Sequence, residues 1–332
     1  MRWYSLAPVM ALAACASADP GTSARDAAVG SSTDGSVAPP LDMSVVSVAH
    51  DLSQTHDMSV VHDLSVAHDL SSPPDLAPFK NGDWWIYEPG LESATFDGVP
   101  ASTIGDSKIH VVRIDPAHFK LRLVAAGELG TGKKTAPSWA SSQGLVAVIN
   151  ASLYQDDQVT SIFYMRDNTY VNNGTWSSSA SAVFATGRRN GFSSPEVQVI
   201  DETCQDLTSL DPQYDTLVQN YRMIDCAGMP TWAQSTNKYS IAAVGTDSAG
   251  RVLFIHSRSP YSVHDLAMVL NALPIDLQRL MYVSGGKEAS LYLKPGTTAV
   301  VSEMGSYETG VTENDNNHTF SAIPNVLGVV RK

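Results

Sequence analysis

The sequence predicts an α+β fold, a single domain of mixed but mostly antiparallel β-sheet with few helices, and three observations carry that expectation. Apolar runs of strand length recur from about residue 84 to the C-terminus. One capped amphipathic helix stands among them, and no long βαβ units are apparent. At 332 residues and 43% hydrophobic content the chain is long and apolar enough for a sizeable core.

The N-terminal portion does not belong to that core. Residues 1–15 read as an export signal, with Arg2 as a sparse basic region, Leu6 to Ala14 as an apolar stretch and small residues at its end. Leu12-Ala13-Ala14-Cys15 resembles a bacterial lipobox, which is cut before a cysteine that then carries lipid; the alternative is an ordinary secretory signal with an incidental Cys15. The stretch is too short to span a bilayer, which takes ~20 apolar residues. Ala16 and Ser17 lack the Asp that marks inner-membrane retention in such lipoproteins, so the expected location is the cell envelope at the outer membrane, or the secreted fraction.

Residues 16–79 read as a disordered acidic linker. They hold nine Asp against one Arg, about -8 of the formal net charge of -13, and the repeat HDLSQT, HDMSVV, HDLSVA, HDLSSP places His50, His56, His62 and His68 six apart. A period of six matches no helical face, and Asp, Ser and Pro bury too little surface to offset chain entropy. Evenly spaced histidines can bind metal, but a disordered tether offers no fixed geometry. The acidic balance also argues against a nucleic-acid partner, which requires clustered Lys and Arg.

Residues 80–332 carry the domain. Ile109 to Ile114 and Leu121 to Ala126 alternate as strands, with Asp115-Pro116 as the turn between them. Leu145 to Ile149 is a continuous apolar run, the mark of a strand buried on both faces. Tyr239 to Thr246 and Arg251 to Ser257 predict a hairpin around Asp247-Ser248-Ala249-Gly250. Ser262 is placed to cap a helix with Asp265 at its third position, and Val263, Leu266, Ala267 and Leu270 share one face until Pro274 ends it. If Cys15 carries lipid, Cys204 and Cys226 remain; an even pair in an oxidising compartment suggests a disulfide, two free buried thiols being the alternative.

Two near-motifs mislead. GELGTGKK at residues 127–134 almost spells a phosphate loop, but Lys134 occupies the position of the magnesium-binding hydroxyl. Ser284 and Lys287 have the S-x-x-K spacing of some serine hydrolases, yet Gly285 and Gly286 between them disfavour the helical turn that would bring Lys to Ser.

A set of ordered motifs remains. Val148 to Tyr154 reads VINASLY; Ala242 to Gly245 is followed by Asp247 to Gly250; Ser262 to Ala267 opens the helix; Ser284-Gly285-Gly286 precedes Ala289-Ser290-Leu291; and Ile323 to Gly328 reads IPNVLG. Together, over roughly residues 84–330, these resemble the phosphodiester glycosidase family. The resemblance implies cleavage of a glycosidic bond to a phosphodiester, or of a related linkage, in an envelope or extracellular glycan, with a carbohydrate or sugar phosphate as the partner. It places the site at the double glycine, where main chain can approach a ligand closely. No motif requires a cofactor or metal.

One position departs from the family pattern: Ser284 stands where the family has Asp, and a hydroxyl cannot replace a carboxylate as base or charge. Glu288 is the nearest acidic substitute, so Ser284 and Glu288 are the candidate catalytic residues. Asn150, Gly285, Gly286, Lys287, Arg222, Arg258 and His264 are the candidate substrate-binding residues, the two arginines as bidentate phosphate clamps. Asp156 and Asp157 offer a further carboxylate or a solvated turn. The alternative to an enzyme is a glycan-binding surface lipoprotein, catalytically weakened, that keeps the cleft without the Asp.

Overall fold

The computed structural model describes residues 80–332; the expected export signal, Cys15 and the histidine repeats lie outside them. The described residues form three sheets in which all neighbouring strands run antiparallel. A six-stranded sheet is ordered Trp85–Glu88, Leu91–Asp97, Lys108–Ile114, Val252–Tyr261, Tyr239–Asp247, Leu277–Gly285. One five-stranded sheet is ordered Val301–Met304, Ser290–Leu293, Ala147–Asn150, Asn325–Arg331, Phe119–Ala125. The other is ordered Tyr170–Asn173, Met165–Asp167, Tyr214–Asn220, Ala182–Arg188, Val197–Asp201. Helices are few, and among the described residues none is long and apolar enough to cross a membrane.

All three sheets contribute to one core. Val112, Val244 and Phe254 from the six-stranded sheet meet Leu123, Ile149 and Leu291 from one five-stranded sheet and Phe184, Val199 and Val218 from the other. The opposite face of the six-stranded sheet is also covered: Ile109, Ile241 and Ile255 pack under Leu266 and Leu270 of the helix Val263–Ala272. Burial on both faces explains why Val252 to Ile255 is an uninterrupted apolar run, with Val252 and Phe254 turned to one core and Leu253 and Ile255 to the other. The helix begins where the sequence predicts, with the Ser262 hydroxyl accepting from the Asp265 N–H at 3.0 Å. A second helix, Ala136–Gln143, covers the outer face of its sheet through the fully buried Trp139, whose indole N–H donates to the Ile323 carbonyl at 2.9 Å.

Three turns behave differently. The Tyr239–Asp247 and Val252–Tyr261 strands form the expected hairpin, closed by the Asp247 carboxylate accepting from the Ala249 and Arg251 N–H groups at 3.0 and 2.9 Å. The Asp115-Pro116 turn instead carries the chain from the six-stranded sheet into a five-stranded one, because Lys108–Ile114 and Phe119–Ala125 pair with different partners. Ser284 to Glu288 does the same: Leu277–Gly285 ends in the six-stranded sheet and Ser290–Leu293 begins in a five-stranded one, with a single 3-10 turn, Gly286–Glu288, between. The double glycine is therefore a crossing between sheets and not a hairpin.

Cys204 and Cys226 are joined in a disulfide across a sequence separation of 22. Reduction, or replacement of both by Ser, is expected to lower unfolding free energy by about 2–4 kcal/mol, read as a fall in the urea midpoint at unchanged m-value; an unmoved midpoint would show that the crosslink constrains nothing.

Candidate active site

The crossing between sheets is clamped from the side by Asn150. This residue ends the Ala147–Asn150 strand, which pairs with Ser290–Leu293 on the far side of the turn. Its amide N–H donates to the Glu288 carbonyl at 3.0 Å, and its amide oxygen accepts from the Ser290 N–H at 2.8 Å. Asn150 is 2% exposed, so both ends of the amide serve the main chain of the loop and neither points into solvent. The expected sugar-binding Asn is thus a positioning residue in this geometry.

The glycines are required by contact. Gly285 is extended, and a Cβ there would lie 2.1 Å from the Tyr282 hydroxyl. Gly286 has φ +66°, and its Cβ would lie 2.5 Å from Oε2 of Glu308. Lacking side chains, the two residues bring main chain against a phenol and a carboxylate. Glu308 belongs to the irregular stretch after Val301–Met304, and long-range attachments hold that stretch over the turn, beginning with an isolated bridge between Glu308 and Tyr239. The Gly305 N–H donates to the Ala289 carbonyl at 2.7 Å. The Ser240 hydroxyl accepts from the Ser306 and Tyr307 N–H groups at 2.9 and 3.0 Å. Arg258 donates to the carbonyls of Met304, Asp315 and Asn317 at 2.8, 3.1 and 2.7 Å and pairs with the Asp315 carboxylate at 2.6 Å.

Glu288 faces the turn from the other side. Tyr154, the last residue of the VINASLY motif, donates its hydroxyl to Glu288 Oε1 at 2.5 Å. Burial, then that hydrogen bond, then the charge of Glu288 push the Tyr154 phenol upward, so it keeps its proton and remains the donor. Glu308 is raised above the ordinary carboxylate value by burial and then by the negative charge of Glu288, while Lys287 pulls it back. Two carboxylates and the exposed Lys287 therefore share one electrostatic neighbourhood around Gly286. Lys133, from the segment that nearly spells a phosphate loop, lies 5.2 Å from the Tyr154 ring centroid and donates to Gln158 at 2.7 Å. It adds a second cation on the Glu288 side.

Ser284 is buried and pairs in register with Ala242, which on its other side pairs with His256. Burial, then the neighbouring His110, push His256 down to about 3, and its Nε2 lies 3.3 Å from the Ala289 carbonyl. The position where the family has Asp is thus one strand removed from a neutral imidazole.

The remaining candidates sit elsewhere or are engaged. Arg222 donates to both oxygens of the buried Asp201 at 2.9 and 3.0 Å. It lines a cavity of about 330 Å³ with Tyr221 and Trp232. His264 Nδ1 lies 2.8 Å from the Trp232 carbonyl. An edge-on ring contact from Tyr221 to Trp232 (5.3 Å) and a tilted one from Trp232 to Tyr282 (5.8 Å) connect that cavity to the back of the glycine turn. Both arginines expected as phosphate clamps are held by protein carboxylates, and Arg258 acts on the site by fixing the Glu308 segment. Asp157 accepts from the N–H groups of Val159 and Thr160 at 3.0 and 2.9 Å and closes an exposed turn next to the exposed Asp156. Among the described residues the one three-donor group of metal-ligand type is Asp201 with Cys204 and Cys226, and there the sulfurs are bonded to each other.

Tyr154, Lys133 and Glu308 are the residues at this centre that sequence reasoning missed as site residues. Tyr154 stands in a quoted motif; Glu308 lies in a polar stretch with no periodic signal.

Comparison with known proteins bears on this geometry. The phosphodiester glycosidase family model matches residues 143–330, more than half of the chain. The catalytic domain of zebrafish N-acetylglucosamine-1-phosphodiester alpha-N-acetylglucosaminidase, solved auto-inhibited by its pro-peptide, is similar in structure with a TM-score of 0.51 at 15% identity, covering 76% of this chain and 87% of that one. A hypothetical protein from Synechocystis is similar with a TM-score of 0.52 at 12% identity, covering 75% of this chain and 64% of that one. No curated protein matches in sequence. At such identities the structural likenesses speak for the fold, and the family model speaks for descent: this chain belongs to the phosphodiester glycosidase family.

Proposed function

We propose that the domain hydrolyses the bond between the anomeric carbon of a sugar and a phosphodiester, or a related linkage, in a cell-envelope or extracellular glycan, at the turn Ser284 to Glu288. Family membership supports the reaction class. The observation that carries the reading is that Glu308 lies against Gly286 while Glu288, at the end of the same turn, is near enough for its charge to raise Glu308, since charge stabilisation and water activation at an anomeric centre are the work of paired carboxylates.

The chemistry follows from the leaving group. Phosphate departs as a stable anion, so the site needs little leaving-group protonation. Glu288, oriented by the Tyr154 hydroxyl, stabilises positive charge at the anomeric carbon. Glu308 takes the proton of the attacking water as the carbon–oxygen bond to phosphate breaks, and a base whose proton affinity is raised by burial suits that step. Lys287 and Lys133 offer the phosphate its counter-charge without the bidentate geometry of arginine. One observation favours a second reading, a glycan-binding protein without turnover: Ser284 stands where the family pattern has a carboxylate. The domain is proposed to act outside the inner membrane, tethered through lipid on Cys15 and the linker of residues 16–79.

The reading is tested by incubating the full-length protein with an N-acetylglucosamine phosphodiester and a panel of other sugar phosphodiesters and measuring free sugar. Turnover is expected, with Glu288→Gln and Glu308→Gln each lowering kcat/KM by about 10²-fold or more; absence of turnover on every substrate leaves the binding reading. Glu308 must be ionised to accept a proton, and its proton affinity is raised, so kcat/KM is expected to climb with pH through a limb above the ordinary carboxylate value. Glu308→Gln removes that limb, and a limb that survives the substitution assigns the base elsewhere.

Gly286→Ala forces a side chain into the left-handed region and against Glu308, at a cost of about 1–2 kcal/mol in stability. Displacing that carboxylate by an ångström is expected to lower kcat/KM by about 10²-fold, with the fold retained by circular dichroism; full activity would detach Glu308 from the reaction. Cys15→Ser is expected to move the protein from the membrane fraction to the soluble fraction, and unchanged partitioning removes the lipid anchor.

A further inference from the structure

The largest cavity described in the domain lies away from the glycine turn. It is an open groove of about 590 Å³ between the segment after Tyr170–Asn173 and the short helix Leu207–Leu210, and Trp176 and Glu202 line it. Its volume falls within the range of sites that hold small ligands.

Trp176 is set as a platform. Its indole stacks face to face on Tyr164, with centroids 4.0 Å apart and planes 8° from parallel. Tyr164 is itself buried, yet Trp176 remains 37% exposed. One indole face is backed, so the exposure falls on the other face and the edges. The adjoining chain is fixed from beneath by Gln219, itself 1% exposed, whose side-chain N–H groups donate to the carbonyls of Ser177 and Ala180 at 2.9 and 2.6 Å and whose oxygen accepts from the Ser177 N–H at 3.0 Å.

The same Gln219 nitrogen lies 3.3 Å from one oxygen of Glu202, a contact that shares a hydrogen already given to a carbonyl, and among the described residues no group takes the other oxygen. Burial raises the Glu202 carboxyl, Gln219 lowers it and Asp201 raises it again. A carboxylate in that position gains from a hydroxyl donor, because a charge-assisted O–H bond replaces lost hydration.

The chemistry of the lining narrows the ligand. Asp206 spends its carboxylate on capping the short helix, accepting from the Thr208 N–H at 3.0 Å, and Asp211 pairs with Arg166 at 2.9 Å. No Lys or Arg lines the cavity, so a phosphate or other anion finds no partner there. A quaternary ammonium ion is best held by several aromatic faces, and this cavity presents one. A single flat apolar face beside a free hydroxyl acceptor matches a pyranose ring, whose C–H face is apolar and whose hydroxyls donate.

We infer that the cavity between Trp176 and Glu202 is a second carbohydrate site, binding an uncharged or amino-bearing pyranose by stacking on Trp176 with a ring hydroxyl donated to Glu202. The inference stands apart from the proposed hydrolysis, and its test reads binding without turnover. Full-length protein is titrated, with intrinsic fluorescence and saturation-transfer NMR as readouts, with the methyl glycosides of N-acetylglucosamine, glucose, galactose and mannose, and separately with choline.

At least one glycoside is expected to bind with a Kd of roughly 1–10 mM. Trp176→Ala is expected to weaken it by about 10-fold or more, Trp176→Phe to retain it within about threefold, and Glu202→Gln to weaken it by about threefold or more. Glu308→Gln, which alters the glycine turn, is expected to leave this binding unchanged, so a sugar seated at that turn is told apart. Binding of no glycoside, binding indifferent to Trp176→Ala, binding lost in Glu308→Gln, or a preference for choline would each overturn the assignment.

Discussion

The candidate centre depends on one side chain, the amide of Asn150, which ties the Glu288 carbonyl and the Ser290 N–H to the end of a neighbouring strand. Without it a 3-10 turn of three residues would carry the whole connection between two sheets, and short turns of that kind are weakly determined by their own hydrogen bonds. With it, the carbonyl of residue 288 and the start of the next strand are fixed, and the Glu288 side chain leaves the main chain in a direction that Tyr154 can meet. The strand Ala147–Asn150 is thus the reference against which the reactive groups are aligned. An apolar side chain at position 150 would leave the buried Ser290 N–H without its partner, costing about 1–3 kcal/mol, and would leave the Glu288 carbonyl with only the Ser290 hydroxyl.

The opposing half of the centre is built by a different device. Glu308 sits on irregular chain, tied at its main chain by isolated bridges to Tyr239 and Thr312 and by no extended ladder. Arg258 adds rigidity, collecting three carbonyls and one carboxylate from the 304–317 stretch with a single planar group. A cation that satisfies several carbonyls at once converts loop into scaffold, and Ser240 does the same on a smaller scale. The two carboxylates therefore reach the turn by separate routes, Glu288 along regular strands to Tyr154 and Glu308 over a stapled loop to Gly286.

How much of this was legible in the sequence follows from the range of each interaction. The Ser262 cap, the Asp247 hairpin and the buried character of the Asn150 strand are local, and each left a readable pattern within a few residues. The Cys204 and Cys226 pairing was suggested by number alone and is present. What the pattern did not disclose is non-local. The pairing of Leu277–Gly285 and Ser290–Leu293 with different sheets is decided by partners far along the chain. Glu308 lies about twenty residues from the turn it touches. An arginine in a polar setting reads as a clamp for an incoming anion until the distant carboxylate is seen, and Asp201 and Asp315 answer Arg222 and Arg258 in that way. Lys133 lies in a near-motif with no function of its own, and only the packing of that segment on Tyr154 brings it to the centre.

Because the double glycine bridges two layers, the reactive geometry is a measure of how those layers are aligned. Glu288 follows the five-stranded sheet through Asn150, whereas Glu308 follows the six-stranded one through Ser240 and Arg258. A slip of one layer over the other by an ångström separates the two acids while every ladder within each layer stays intact. An arrangement of this kind is held by the contact between the layers more than by either ladder, and a ligand that touches both layers would favour their aligned state.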